Sequence, residues 1–214
     1  MIYDRLIAAK VSPTELDEFL RQGFRHFGVN FFRYSSSYLD EELEDILPLR
    51  INLTTFQFSD SQKKILKKNK DLLVSIRDSF IDPEKEKLFS LHKKRFKENE
   101  PESIYTFLSE EPSVIPCENK EVAVFYDDRL VAVSFLDIGK ISTSSIYAIF
   151  DPLYSKRSLG IFTLLKEIEY SIETKKKYFY HGYAFKKPSF YDYKKNFHSL
   201  EYFDWDKKWI AFSK

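Results

Sequence analysis

The residues of this chain best placed to do chemistry gather in one stretch, Asp151-Pro152-Leu153-Tyr154-Ser155-Lys156-Arg157-Ser158-Leu159-Gly160. An Asp-Pro break ends an apolar run, a short basic and polar turn follows, and Gly160 opens an amphipathic segment from Ile161 to Ser171. That order reads as strand, loop and helix. The first amides of a helix have no partner inside it, so a helix start can hold an anion or an acyl oxygen without dedicated side chains. Holding an anion or an acyl oxygen is the chemistry this arrangement could do, and a plain structural turn is its alternative.

A second candidate is a basic helix face. Ser59-Asp60-Ser61-Gln62 reads as a helix cap, and Lys63, Lys64, Lys67 and Lys68 follow it. Their spacing puts them on neighbouring parts of one helix surface. Such a face either binds phosphates, with a salt-dependent affinity, or is simply solvated. The whole chain does not decide between them, because 34 Lys and Arg against 33 Asp and Glu leave a net charge of +1. The single cysteine, Cys117, excludes an intramolecular disulfide framework and a cysteine-built zinc or iron–sulfur site within one chain. No metal is therefore expected. The first residues carry Asp4 and Arg5 rather than a secretory signal, and no apolar run approaches the ~20 residues of a membrane span, so a soluble cytoplasmic protein is expected.

The elements that must position these residues are legible from spacing. Ser12-Pro13-Thr14-Glu15 starts a helix with Leu16, Phe19, Leu20 and Phe24 at helical intervals. Phe31 to Tyr34 reads as a short strand, the polar and acidic Ser35 to Asp45 as a loop or short helix, and Leu49 to Phe56 as a strand. Pro83 starts another helix, with Leu88, Phe89, Leu91, His92 and Phe96 as its inner side and a break at Glu98 to Glu102. After a linker from Glu111 to Asn119 come strands at Val122 to Tyr126, Leu130 to Ile138 and Ser144 to Phe150. A helix at Ile161 to Ile172, a strand at Tyr178 to Tyr183 and a last strand pair within Glu201 to Phe212 complete the order. This is an α+β pattern with a helix packed on a mostly antiparallel sheet. The expected division is a smaller N-terminal α/β subdomain over 1–80 and a C-terminal domain over 81–214.

Several segments then resemble one family in order and at compatible distance. Leu130-Val131-Ala132-Val133-Ser134, Tyr147 with Phe150-Asp151-Pro152, Arg157-Ser158-Leu159-Gly160, Ile168-Glu169 and Tyr180-His181-Gly182-Tyr183 are similar to the C-terminal part of arginyl-tRNA–protein transferases and bacterial aspartate/glutamate leucyltransferases. Gly23-Phe24-Arg25 with Gly28, Pro48-Leu49-Arg50, and Phe58 to Lys64 with Asn69 resemble their first domain. The resemblance implies a GNAT-like acyltransferase fold with an extra N-terminal domain. It also implies transfer of an amino acid, Leu or Arg, from charged tRNA to the α-amine of a protein that begins with an acidic residue, marking it for degradation under the N-end rule. Aminoacyl-tRNA is then the co-substrate, and no other cofactor is implied. Two departures stand out. The family's short-spaced cysteine cluster is missing from Leu39 to Leu47, and its Lys-Met-x-Tyr-Lys element reads here as Phe190-Tyr191-Asp192-Tyr193-Lys194.

An aminoacyl ester is already activated, so transfer needs a neutral amine, positioning and a stabilised oxyanion, with no covalent intermediate. On the resemblance, Asp151 could contact or deprotonate the incoming ammonium, or merely cap its loop. Tyr147 could hydrogen-bond the acyl oxygen, or pack in the core. Arg157, Ser158 and Gly160 could present the tRNA 3′ end or the oxyanion with backbone amides, and Arg157 or Lys156 could meet the acidic first residue of the acceptor. Tyr183, Tyr193 and Lys194 could line the acceptor pocket. Arg50 could pair with a phosphate or with an internal acid. Two other readings compete: an acyl-CoA N-acyltransferase, disfavoured because Ile161-Phe162 stand where a Gly-x-Gly/Ala ending is usual, and a catalytically silent homologue that binds tRNA or acidic N-termini.

Overall fold

Alternating apolar and polar residues build one large sheet, and helices with apolar faces cover both its sides. The structure, a computed structural model, describes residues 1–96 and 100–213. In chain order the strands are β1 (Tyr3–Ile7), β2 (Arg25–Phe27), β3 (Asn30–Tyr34), β4 (Ser36–Leu39), β5 (Glu42–Asn52), β6 (Leu73–Asp78), β7 (Asn119–Tyr126), β8 (Arg129–Ile138), β9 (Ser142–Phe150), β10 (Tyr178–Phe185), β11 (Leu200–Phe203) and β12 (Trp209–Ala211). The helices are α1 (Pro13–Arg21), α2 (Asp60–Lys68), α3 (Pro83–Lys93) and α4 (Leu159–Glu173), with 3-10 turns at Ile104–Thr106, Pro152–Arg157 and Phe190–Lys195.

The nine-stranded sheet runs β12-β11-β5-β10-β9-β8-β7-β6, with β4 attached to β5. Among the described residues the β9–β10 pair is parallel and the other neighbours are antiparallel. α4 bridges β9 to β10 as a crossover and packs Leu164, Leu165 and Ile168 against Leu49, Ile51, Leu136 and Phe179. On the opposite face α3 packs Leu88 and Phe89 against Val133, Phe135 and Ile149. A separate three-stranded sheet, β1-β3-β2, buries Phe31 with Leu16 and Leu20 of α1 and with Tyr180 of β10. The fold is the expected GNAT-like α+β arrangement.

Local chemistry explains the helix starts. Ser12 and Glu15 close a capping box on α1, Ser59 and Gln62 close one on α2, and Asp82 caps α3. Two expectations change. Ser35 to Asp45 is a hairpin of β4 with β5 rather than loop or helix, turned by Asp40 and Glu41 at φ 49° and 67°. Paired positive φ values match the twist of a two-residue hairpin, and the strands are polar because both their faces lie near solvent. The strand expected at Leu49 to Phe56 starts earlier and ends at Asn52. The sheet also does not part at residue 80, since β5 sits between β10 and β11 while β6 forms the far edge. Of the expected break at Glu98 to Glu102, residues 98 and 99 lie outside the described residues.

Candidate active site

The sheet opens at one place. β9 and β10 pair through Ser142↔Tyr178, Thr143↔Phe179 and Ser144↔Tyr180, and no further, although both strands continue. Immediately past the last pair each strand is irregular against its other neighbour. β9 shifts between Ser145 and Tyr147, and β10 shifts between Tyr180 and Gly182. Bulges re-aim side chains and bend strands, so the two arms diverge. Gly182 takes φ +101°, a conformation open to glycine and strained for other residues.

Arg25, from β2 of the small sheet, spans the apex of this gap. Its Nη1 donates to Ser144 Oγ at 2.8 Å on one arm and to Tyr180 O at 3.3 Å on the other, and its Nη2 donates to Ser145 O. Lys194 approaches from the 3-10 turn at Phe190–Lys195, with Nζ 3.2 Å from Tyr183 O. A methyl group on Gly182 would lie 2.8 Å from Lys194 Nζ and 4.0 Å from Arg25 Nη2, so glycine is what lets the two cations share the space. Among the described residues neither has a carboxylate within ion-pair distance. Burial of the Lys194 ammonium, with Arg25 beside it, brings its pKa down to about 7.

Facing them from α4 is Glu167, fully buried. The hydroxyls of Ser134 and Ser145 approach its carboxyl and stabilise its charge, yet neither oxygen closes a hydrogen bond of ordinary geometry. Burial dominates and lifts its pKa to about 8, with the charge of Arg25 pulling the other way. His181, beside the β10 bulge, donates from Nε2 to Lys194 O at 2.8 Å, and its Nδ1 is buried without a partner. Burial keeps this imidazole neutral, with a pKa of about 3. Tyr147 Oη is likewise buried without a partner among the described residues, and Ser134 Oγ has only its approach to Glu167. Buried polar atoms are nearly always paired in folded proteins, and among the described residues the exceptions, apart from the side-chain oxygens of Asn69 and Asn119, lie on β8, β9, α4 and β10.

The residues singled out from sequence are placed unevenly. Lys194 and Tyr183 belong to this cluster: Tyr183 Oη donates to Gly23 O at 2.6 Å, and its ring meets Tyr34 edge to face. Tyr193, in the same 3-10 turn as Lys194, is partly exposed at the rim. Tyr147, on β9, stacks its ring on Phe107 at 3.7 Å and packs with the α3-side core, with its hydroxyl buried and unpaired among the described residues. Asp151 is buried, accepts from Leu153 N at 2.9 Å and pairs with Arg129 at 2.6 Å, so its carboxylate caps a turn and faces no cleft. Arg157 is held by a two-pronged pair to Asp71 at 2.9 Å and lies over the Tyr126 ring, which withdraws it from an acceptor carboxylate. Ser158 turns the chain in the left-handed region at φ 56°, and Gly160 sits where a methyl would press the Phe150 ring at 3.2 Å, so both shape the entry to α4.

Arg50 pairs with Glu201 at 2.6 Å and is sandwiched by the Tyr178 and Trp209 rings, the internal alternative rather than a phosphate contact. Lys63, Lys64, Lys67 and Lys68 are exposed along α2, as expected of either a phosphate-binding or a solvated face. Beside them a groove of about 370 Å³ runs between α2 and α4, lined by Leu66, Lys70, Phe162 and Lys166. Sequence reasoning missed Glu167, Ser134, Ser145 and His181 as site residues. The signal for Glu167 was a lone acid among the apolar inner positions of a helix, and it went unused. His26, Cys117 and Asp137 also converge, but His26 Nδ1 meets Gly28 O at 2.9 Å, His26 Nε2 meets Asp137 at 2.7 Å, and Asn119 donates to the other Asp137 oxygen at 2.8 Å. These hydrogen bonds account for that cluster.

Comparison with known proteins gives the family. Residues 84–204 match the family described as arginine-tRNA-protein transferase, C terminus. An aspartate/glutamate leucyltransferase of Leptospira interrogans is 31% identical over 87% of this chain and 73% of its own length. One from Campylobacter jejuni is 29% identical over 86% of this chain and 78% of its own. In three dimensions the chain is similar to L-PGS from Bacillus licheniformis, with TM-score 0.51 and 11% identity over 73% of this chain and 59% of that one, a likeness of fold. No helix among the described residues is long and apolar enough to cross a membrane.

Proposed function

The chain belongs to the arginine-tRNA–protein transferase family and is an aminoacyltransferase, and on that premise we propose that it moves leucine or arginine from charged tRNA to the α-amine of a protein whose first residue is acidic. The reaction is assigned to the gap between β9 and β10. The observation that carries this reading is the pair of cations there, Arg25 and Lys194, gathered at Gly182 with no carboxylate bound to either. An acidic side chain supplies the missing partner through charge-assisted hydrogen bonds. The hydroxyl of Tyr147, buried and unpaired, is free to donate to the acyl oxygen. Because the ester is already activated, holding amine and ester together is the main task, and good orientation is worth roughly 7–11 kcal/mol. The lysines of α2, exposed as a group, meet the phosphates of the carrier.

Labelled Leu-tRNA or Arg-tRNA, offered with peptides beginning Asp, Glu, Asn or Gln, tests the reading. Transfer should go to the acidic peptides. Replacing Lys194 by Met should remove about 1.5–3 kcal/mol of the preference, roughly tenfold to 150-fold in kcat/KM. Replacing Lys63, Lys64, Lys67 and Lys68 together by Gln should weaken tRNA binding and flatten its dependence on salt. Equal transfer to Asp and Asn peptides would refute the carboxylate pocket.

A further inference from the structure

We infer that Glu167 takes the proton from the acceptor's α-ammonium during transfer, an assignment that rests on the transferase reading above. Three observations lead to it. Glu167 is the acid on the inward stripe Thr163, Glu167 and Ser171 of α4, and it is fully buried. The other two members of the stripe are satisfied, Thr163 by Gly160 O at 3.2 Å and Ser171 by Thr143 Oγ1 and Glu167 O at 2.7 and 2.6 Å. Both carboxyl oxygens of Glu167 are not. The hydroxyls of Ser134 and Ser145 lie near it without closing a bond of ordinary geometry, and a buried carboxyl held so loosely costs a fold free energy that a leucine there would not, which marks the group as kept for a ligand.

The location fits a proton acceptor. Glu167 borders the gap that Arg25 and Lys194 make attractive to an acidic residue, and the α-nitrogen of that residue shares its Cα with the acidic side chain, three bonds from the carboxyl carbon of an aspartate. The charged and titratable groups facing Glu167 are Arg25 from β2, Asp137 from β8 and Tyr193 from the last 3-10 turn. Burial raises the carboxyl toward the pKa of an α-amine, about 7.7–8.0, so proton exchange between the two is close to balanced. The alternatives are weaker: Asp151 is bound to Arg129, Lys194 donates to Tyr183 O, and burial leaves the free Nδ1 of His181 a poor base, with a pKa of about 3.

The step balances without another reagent. One ammonium proton passes to the Glu167 carboxylate, and the freed lone pair attacks the ester carbonyl carbon. A C–N bond forms, and the C–O bond to the tRNA ribose breaks as a second proton leaves nitrogen for the departing ribose oxygen. The proton on Glu167 is then lost to solvent.

The test compares wild type with Glu167→Gln and Glu167→Asp on two acceptors: a peptide beginning with Asp, and the same peptide with the Cα of that Asp replaced by nitrogen, so that its N-terminal nitrogen is a hydrazide nitrogen already neutral at pH 7. With the amine peptide, Glu167→Gln should lose about 10²–10⁴ in kcat while its KM changes by less than about threefold, and Glu167→Asp should recover part of the loss. With the hydrazide the Gln variant should lose less than about tenfold, because no prior deprotonation is needed. Equal losses on both acceptors, or a Gln variant as active as wild type on the amine peptide, would overturn the inference and leave the transferase reading intact. A wild-type protein that transfers to neither acceptor overturns the reading, and the inference with it.

Discussion

The protonation state of Glu167 has a consequence that can be measured without any substrate. Its pKa rises from 4.5 to about 8 on folding, so between those values the folded chain binds a proton that the unfolded chain releases. The sign follows from linkage: where the native state holds more protons, stability falls as pH rises. This contribution is absent below the unfolded value, grows through the window, and reaches its full cost above about pH 8. At about 1.4 kcal/mol per pH unit, it should remove about 2–3 kcal/mol between pH 5 and pH 7. Lys194 and His181 tilt the other way, because their folded pKa values are depressed, to about 7 and about 3. Those slopes exist in wild type and in Glu167→Gln alike, so the difference between the two proteins isolates the glutamate. Urea unfolding of both at pH 5 and pH 7 gives that difference. The Gln variant should gain about 2–3 kcal/mol on wild type over this interval. Parallel stabilities would mean that Glu167 is charged when buried, and the reasoning about its missing partners would fail.

Two substitutions test the rest of the site's geometry. Asp151→Asn keeps an acceptor for Leu153 N and loses the ionic part of the pair with Arg129, so transfer should stay within about threefold of wild type while stability drops by about 1–3 kcal/mol; a 100-fold loss of transfer at unchanged folding would return Asp151 to the catalytic role its sequence context suggests. Gly182→Ala places a methyl 2.8 Å from Lys194 Nζ at φ +101°, so it should cost about 1–3 kcal/mol in thermal or urea unfolding and displace the ammonium; unchanged stability and unchanged preference for acidic peptides would show that Lys194 need not sit there.

Most of the architecture could be read from spacing because each element carries its own signal. Helix α4 declares itself by Leu164, Leu165 and Ile168, α1 and α2 by their capping boxes, and the β7–β8 hairpin by Asp127-Asp128 between alternating strands. The β4–β5 hairpin lacks such a signal. From Ser36 to Asp45 its strands bury no residue, so no buried face imposes a period of two, and Ser35 to Asp45 looks like loop or short helix. The place of β5 is also illegible locally. Its position between β10 and β11 is fixed by pairing with residues more than a hundred positions away, such as Ile51 with Phe179.

The site was partly hidden for the same physical reason. Arg25 matters because Ser144, Ser145 and Tyr180 surround its guanidinium, and these are 119 to 155 residues distant in sequence. A motif search weighs polar residues that stand together beside a helix start, as they do from Asp151 to Arg157. There the charges are spent on holding the loop: Asp151 on Arg129, Arg157 on Asp71. The groups left unspent carry no local mark of their own: Glu167 stands between Lys166 and Ile168 and differs from Lys166 and Glu169 only in facing inward, and Tyr147 lies between Ile146 and Ala148 in a strand. An acid alone on the inner face of a helix satisfies no local rule. It is tolerated where something outside the chain completes its hydrogen bonds, and in this fold that place is the gap where two parallel strands stop pairing.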